Sequence, residues 1–180
     1  MNRREALSSV ALLLGGTIIG SSAFLSGCKA NPDAAAGVLS AADMSLLNDI
    51  AEIIIPTTNT PGAKAAKVGE FMGVIVTDCY DAKDQKVFKD GLAALASKFS
   101  AANAEAQQKM IVDVDAEAKK YQETKTAEQP THYFTMIKQL TLWGYFSSEI
   151  GATQALRYVA IPGKYEGCVP YKKGDKAWAT

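Results

Sequence analysis

The chain has 180 residues, 19 basic and 19 acidic side chains, a formal charge of zero and 48% hydrophobic residues. That balance excludes the basic footprint nucleic-acid binding needs, so no nucleic-acid partner is expected. Abundant Ala, Leu, Ile and Val with few alternating β-branched runs favours helices, and roughly 150 residues beyond the N-terminal segment suffice for one self-supporting core.

The chain begins with a polar, basic head, Met1-Asn-Arg3-Arg4-Glu5, followed by an apolar run from Val10 to Phe24 and then Leu25-Ser26-Gly27-Cys28. Charged head, apolar middle and small residues are the order of an export signal. The apolar run of about 15 residues is short of the roughly 20 that a spanning helix needs. A cysteine after Leu-Ser-Gly is where bacterial lipoprotein processing attaches acyl chains, so residues 1–27 read as a cleaved signal and Cys28 as a lipidated first residue; the alternative is a cleaved signal without lipid. Arg3 and Arg4 resemble the twin-arginine signal of proteins exported already folded. Leu7 fits that pattern, Ala6 does not, and ordinary export of an unfolded chain is the competing reading. The expected location is periplasmic, held to a membrane by lipid.

Residues 28–39 form a tether and residues 40–180 a single helical domain. Ser40 followed by Asp43 is a near capping box, and Leu46, Leu47, Ile50, Ile53 and Ile54 make one apolar helical face that Pro56 ends. Thr57 to Lys67 reads as a loop, with Thr60-Pro61-Gly62 as a tight turn. Val68 to Tyr80 resumes helix with Phe71, Val74, Ile75 and Cys79 predicted inward. Asp84 to Phe99 carries the stripe Val87, Phe88, Leu92, Leu95 and Phe99. Asn103 to about Gln122 presents Met110, Ile111, Val114, Ala118 and Tyr121, with Glu105 and Lys109, and Asp115 and Lys119, at supportive i,i+4 spacing. Tyr133 to Phe146 is apolar nearly all round, which predicts burial on most sides by its own domain or another protein. A last short helix, capped by Ser147 or Ser148, runs through Arg157.

From Tyr158 to Tyr171 Pro and Gly are too frequent for helix and aromatics too frequent for disorder. An ordered tail of this kind needs a surface to lie on. The expected fold is all-α, an irregular helical bundle with an extended, aromatic-rich C-terminal segment.

Chemistry is sparse. His132, the sole histidine, sits where a helix begins and reads as a cap or packing residue; it lacks a recognisable nucleophile and orienting carboxylate. No zinc spacing, haem attachment motif, dinucleotide fingerprint or complete phosphate loop occurs. Neither a catalytic residue, a metal ligand nor a cofactor is therefore assigned to this chain. Asp113, Asp115 and Glu117 read as a solvated face. Of the 17 basic residues after position 27, 16 are Lys and only Arg157 is Arg. Cys79 and Cys168 are a candidate disulfide in an oxidising compartment. Closing about 90 residues would stabilise by at most ~4–5 kcal/mol; a bridge to a partner and two free thiols are the other possibilities. Trp143-Gly144-Tyr145-Phe146 reads as core or as a protein-facing anchor.

The run Ile53-Ile-Ile-Pro56-Thr-Thr-Asn-Thr-Pro61-Gly62-Ala63, continued through Phe71 to Asp78-Cys79-Tyr80, resembles the gluconate 2-dehydrogenase subunit 3 family. The resemblance returns at Trp143-Gly-Tyr-Phe-Ser-Ser-Glu149-Ile-Gly151-Ala and at Tyr158-Val-Ala-Ile-Pro162-Gly163-Lys-Tyr165-Glu166-Gly167-Cys168-Val-Pro170. It implies a non-catalytic small subunit of an exported sugar or polyol dehydrogenase. In such complexes a large subunit carries FAD and oxidises the alcohol, and a cytochrome c subunit, where present, takes the electrons. The small subunit would escort the folded flavoprotein through twin-arginine export, stabilise it and, with lipid on Cys28, tether it. By that likeness Cys79 and Cys168 belong to the family pattern, which assigns neither a redox role. The candidate partner interface comprises Trp143, Tyr145, Tyr158, Tyr165 and Tyr171. A free-standing periplasmic lipoprotein that binds another partner is the alternative.

Overall fold

A computed structural model describes residues 37–164 and 167–179. Among them are five α-helices and one π-helical turn: α1 (Ala41–Ile54), α2 (Val68–Cys79), α3 (Ala82–Phe99), α4 (Ala104–Thr124), α5 (Tyr133–Ser147) and the turn Gly151–Ala155. The all-α expectation holds.

Four of the five helices begin at a side-chain cap, whereas α2 begins at Lys67 in the left-handed conformation with none. The Ser40 side chain accepts from the Asp43 N–H at 3.2 Å while the Asp43 carboxylate accepts from the Ser40 N–H at 2.9 Å, a complete reciprocal box. Asp81 caps α3 and Asn103 caps α4, accepting from Asp84 N–H at 2.7 Å and Ala106 N–H at 2.9 Å. A second device closes the preceding helix each time. The Gln85 amide donates to the carbonyls of Val76, Thr77 and Tyr80 at 3.0–3.1 Å, and the Gln107 amide to Phe99 at 3.0 Å. Side chains in the first turn of one helix thus satisfy carbonyls that the previous helix leaves without intrahelical partners.

Helix α5 packs against all four other helices and the π-turn. Phe134, Met136, Ile137, Leu140, Thr141, Gly144 and Tyr145 are buried along it, facing Leu47, Ile50, Met72, Val76, Phe88 and Leu92. A side chain of this size contributes about 1.5–3 kcal/mol when fully buried. Asp115 joins α4 to α5 through Lys138 at 2.6 Å and pairs with Lys119 at 2.9 Å along its own helix. The predicted solvated face is therefore broken at this carboxylate: hydrogen bonds from Lys138 and Lys119 lower its pKa from the ordinary value. Glu105 and Lys109 form no ion pair among the described residues.

Three local expectations are corrected. The inward face of α2 is Val68, Met72 and Val76, whereas Val74 and Cys79 are exposed. The rotation is set by α1: buried Asn48 accepts from the Gly69 N–H at 2.8 Å and donates to Glu70 at 2.9 Å, and Gly69 lies so close to the Met44 carbonyl that a Cβ would collide with it. Gly62 does not supply a positive-φ turn. It is needed for close approach to the Glu52 carboxylate, which accepts from Thr57 N–H, Thr57 hydroxyl and Lys64 N–H at 2.9, 2.7 and 2.9 Å. The last predicted helix is a five-residue π-turn ending at Ala155, with the Ser148 hydroxyl accepting from the Gly151 N–H at 3.0 Å.

Candidate interaction surface

The chemistry-bearing side chains are spent on structure. His132 is the N-cap of α5, its Nδ1 accepting from the Phe134 N–H at 3.2 Å. Burial pushes its imidazole below the ordinary pKa, against the opposing charge of Glu117, which keeps the accepting nitrogen unprotonated. Among the described residues no three His, Cys, Asp or Glu side chains are grouped to hold a metal, and no helix is long and apolar enough to cross a membrane. Cys79 and Cys168 are both free and exposed. The structure does not join them to each other, so the candidate internal bridge is not shown.

Apolar surface is instead concentrated in two places. The first is a strip where α2 and α5 cross. Phe71 meets Trp143 edge to face, ring centroids 5.2 Å apart at 87°. Gly144 permits this contact, since a Cβ there would stand 2.6 Å from the Phe71 ring. One turn beyond Phe71 is Val74, 58% exposed; Trp143 is 56% exposed and Phe146, one turn on, 39%. Edge-to-face packing fixes the indole while leaving much of it open, an arrangement suited to an interface anchor.

The second is the segment after the π-turn. The Arg157 N–H donates to the Ala177 carbonyl at 2.8 Å and the Ala179 N–H to the Arg157 carbonyl at 2.9 Å, a parallel bridge between Arg157 and Trp178. The guanidinium carbon lies 4.1 Å from the centroid of the Trp178 ring. The Lys176 ammonium reaches the Gln154 carbonyl. An open hollow of about 520 Å³ lies at this junction, lined by Thr153, Leu156, Arg157, Tyr158, Asp175 and Lys176, among others.

Of the candidate interface residues, Trp143, Tyr158 and Tyr171 are on the surface. Tyr145 is not. Its ring is 1% exposed and its hydroxyl donates to the Pro61 carbonyl at 2.7 Å, so it is a core residue and supplies no interface side chain. Tyr165, and Arg3, Arg4 and Cys28 of the expected export signal, lie outside the described residues. Sequence reading missed Val74 and the outward edge of Phe71, because both were placed inward, and it missed Arg157 and Trp178 as a pair. Arg157 carried one usable signal, being the sole arginine after position 27, while Trp178 stands apart from the aromatic run that ends at Tyr171.

The family model for gluconate 2-dehydrogenase subunit 3 matches residues 41–163. It spans α1 through the first residues of the C-terminal segment. No curated protein and no solved structure matches the chain.

Proposed function

Because the chain belongs to the gluconate 2-dehydrogenase subunit 3 family, we propose that it is the non-catalytic small subunit of an exported FAD-dependent sugar or polyol dehydrogenase. It escorts the folded flavoprotein through twin-arginine export, stabilises it, and tethers it to the membrane through lipid on Cys28. The observation that carries this reading is the Phe71–Trp143 strip: an apolar surface held open on the helix that organises the core, in a chain whose family is defined as a subunit. Interfaces place fixed aromatic anchors of this kind at their centres.

The sequence features support the finer parts. A flavoprotein acquires FAD where FAD is made, so a folded route across the membrane and a signal carried by a companion subunit fit together. Stable anchoring takes at least two lipid signals, each buried CH₂ contributing about 0.8 kcal/mol, and a processed Cys28 meets that requirement.

The test is purification of the tagged chain from membranes with an absorbance spectrum. A large flavin-bearing protein should accompany it, and haem bands would identify a cytochrome as a further component. Cys28→Ser should release the assembly to the soluble fraction. Recovery of the chain alone, without flavin, would refute the subunit reading; membrane retention of the Cys28→Ser variant would refute the tether.

A further inference from the structure

We infer that residues 158–164 and 167–176 present a docking surface for an acidic, apolar face of the catalytic subunit, held in shape by Arg157 and Trp178. The inference rests on the subunit reading above. An irregular segment beyond a helix, with no partner to lie against, samples many conformations. Here it is returned to its starting point: residues 177–179 pair with Arg157, the guanidinium lies over the Trp178 ring and donates to the Lys176 carbonyl at 3.3 Å, and Lys176 ties back to Gln154. Arginine suits this position because its planar head stacks through its face while its edge donates hydrogen bonds, which an ammonium group cannot do.

What this surface presents is apolar. Ile161 is 86% exposed, Tyr171 77%, Tyr158 55%, Val169 52% and Val159 48%. These side chains add nothing to the core, and loop closure has an entropic cost, so ordering them has no evident benefit to the isolated chain. The charge of the segment differs in sign from the rest. Residues 157–176 hold five basic and two acidic side chains, whereas residues 37–156 hold eleven lysines and fifteen carboxylates. Apolar anchors with a basic rim are the complement of an acidic surface with apolar recesses. An anionic bilayer also attracts lysines and aromatics, but through a flat amphipathic face. This segment is irregular, with Pro162 and Pro170 setting its course, and the family match that defines the chain as a subunit continues into it as far as Gly163.

The experiment compares flavin per chain in complexes purified through a tag on the full chain from its native host. Trp178→Ala and Arg157→Lys should each lower the flavin-to-chain ratio about tenfold, and Trp178→Phe, which keeps a ring beneath the guanidinium, should retain most of it. Ile161→Asp with Tyr171→Asp leaves the clamp intact and should lose flavin equally, whereas Val112→Asp on the exposed side of α4 should not. Helical circular dichroism and the melting midpoint should be unchanged in all five, since none of these residues lies in the core. If wild-type chain brings no flavoprotein, the subunit reading fails and this inference with it. If wild type does and the clamp and loop variants do as well, the loop inference alone is overturned. Loop-dependent cosedimentation with phosphatidylethanolamine–phosphatidylglycerol vesicles, with the flavin ratio unaffected by the variants, would assign the loop to the membrane and overturn it too.

Discussion

The Tyr145 hydroxyl donates to the carbonyl of Pro61, a residue 84 positions earlier, at 2.7 Å. This bond fastens the central helix to the loop between α1 and α2, and the Glu52 carboxylate grips the same loop from the other side. Tyr145→Phe keeps the ring buried and removes only the bond, so we expect a loss of about 1 kcal/mol. Tyr145→Ala should cost about 3–5 kcal/mol, as for other large aromatic truncations. Urea denaturation midpoints measure both, and a Phe variant as stable as wild type would show that the bond contributes nothing net.

Gly62 and Glu52 should behave as one unit. A methyl at position 62 pushes against the Glu52 carboxylate and loosens its bonds to Thr57 and Lys64. Gly62→Ala and Glu52→Gln should each cost roughly 1–2 kcal/mol, at the low end because the site is partly solvated. The double variant should be little worse than the poorer single. Partial burial pushes the Glu52 carboxyl upward, but the bonds from Thr57 and Lys64 outweigh it and hold the pKa below the ordinary 4.5. The carboxylate's contribution is therefore present above the unfolded value and lost as pH falls through the folded one. Glu52→Gln should flatten that acid limb, and an unaltered limb would assign it to other carboxylates.

His132 has the opposite chemistry and the same acid sensitivity. Its folded pKa lies below the ordinary 6.5 because burial disfavours the charged ring. The unfolded chain thus takes up the proton first, and stability declines as pH drops from that value through the folded one. Protonation would also remove the acceptor for the Phe134 N–H. His132→Ala should cost about 1 kcal/mol at neutral pH, while His132→Asn should keep the cap and remove the slope. Denaturant titrations at about pH 8 and about pH 5 distinguish the two; an Asn variant with wild-type pH dependence would be the contrary result.

Both Cys79 and Cys168 should react with iodoacetamide in the folded, isolated chain, since both are exposed thiols. Mobility on a denaturing gel should not depend on reductant. A mass-mapped peptide joining the two would contradict the structure.

Trp143→Ala should cost the isolated chain only about 1 kcal/mol, since the indole is more than half exposed and meets Phe71 edge to face. Its effect on assembly should be larger, more than about tenfold in affinity if the indole is an anchor. Titration of purified chain against flavoprotein reads this directly; equal affinity would remove Trp143 from the interface.

The helices were legible where local chemistry decides them. Ser40, Asp43 and Asn103 mark starts, Pro56 marks a stop, and the stripe from Phe88 to Phe99 has one possible inward side. The face of α2 was not legible because Phe71, Ile75 and Cys79 offer the same i,i+4 spacing as Val68, Met72 and Val76; the choice is made by Asn48 and Met44 from α1. The same holds for Trp143-Gly144-Tyr145-Phe146. Four apolar or small residues in one turn of helix cannot all face inward, and only the neighbouring elements select Gly144 and Tyr145 for burial. The meeting of Arg157 with Trp178 spans 21 positions and has no local pattern to betray it.

The placement of Trp143 on α5 restricts how such a chain can drift over generations. The helix that holds the bundle together is also the one that carries the exposed indole, so, with Trp143 as the proposed anchor, a substitution that tilts it alters folding and recognition at once. Compensation would have to arise in both proteins together. We therefore expect surface loops of this molecule to diverge freely while α5 changes only in concert with whatever sits against it.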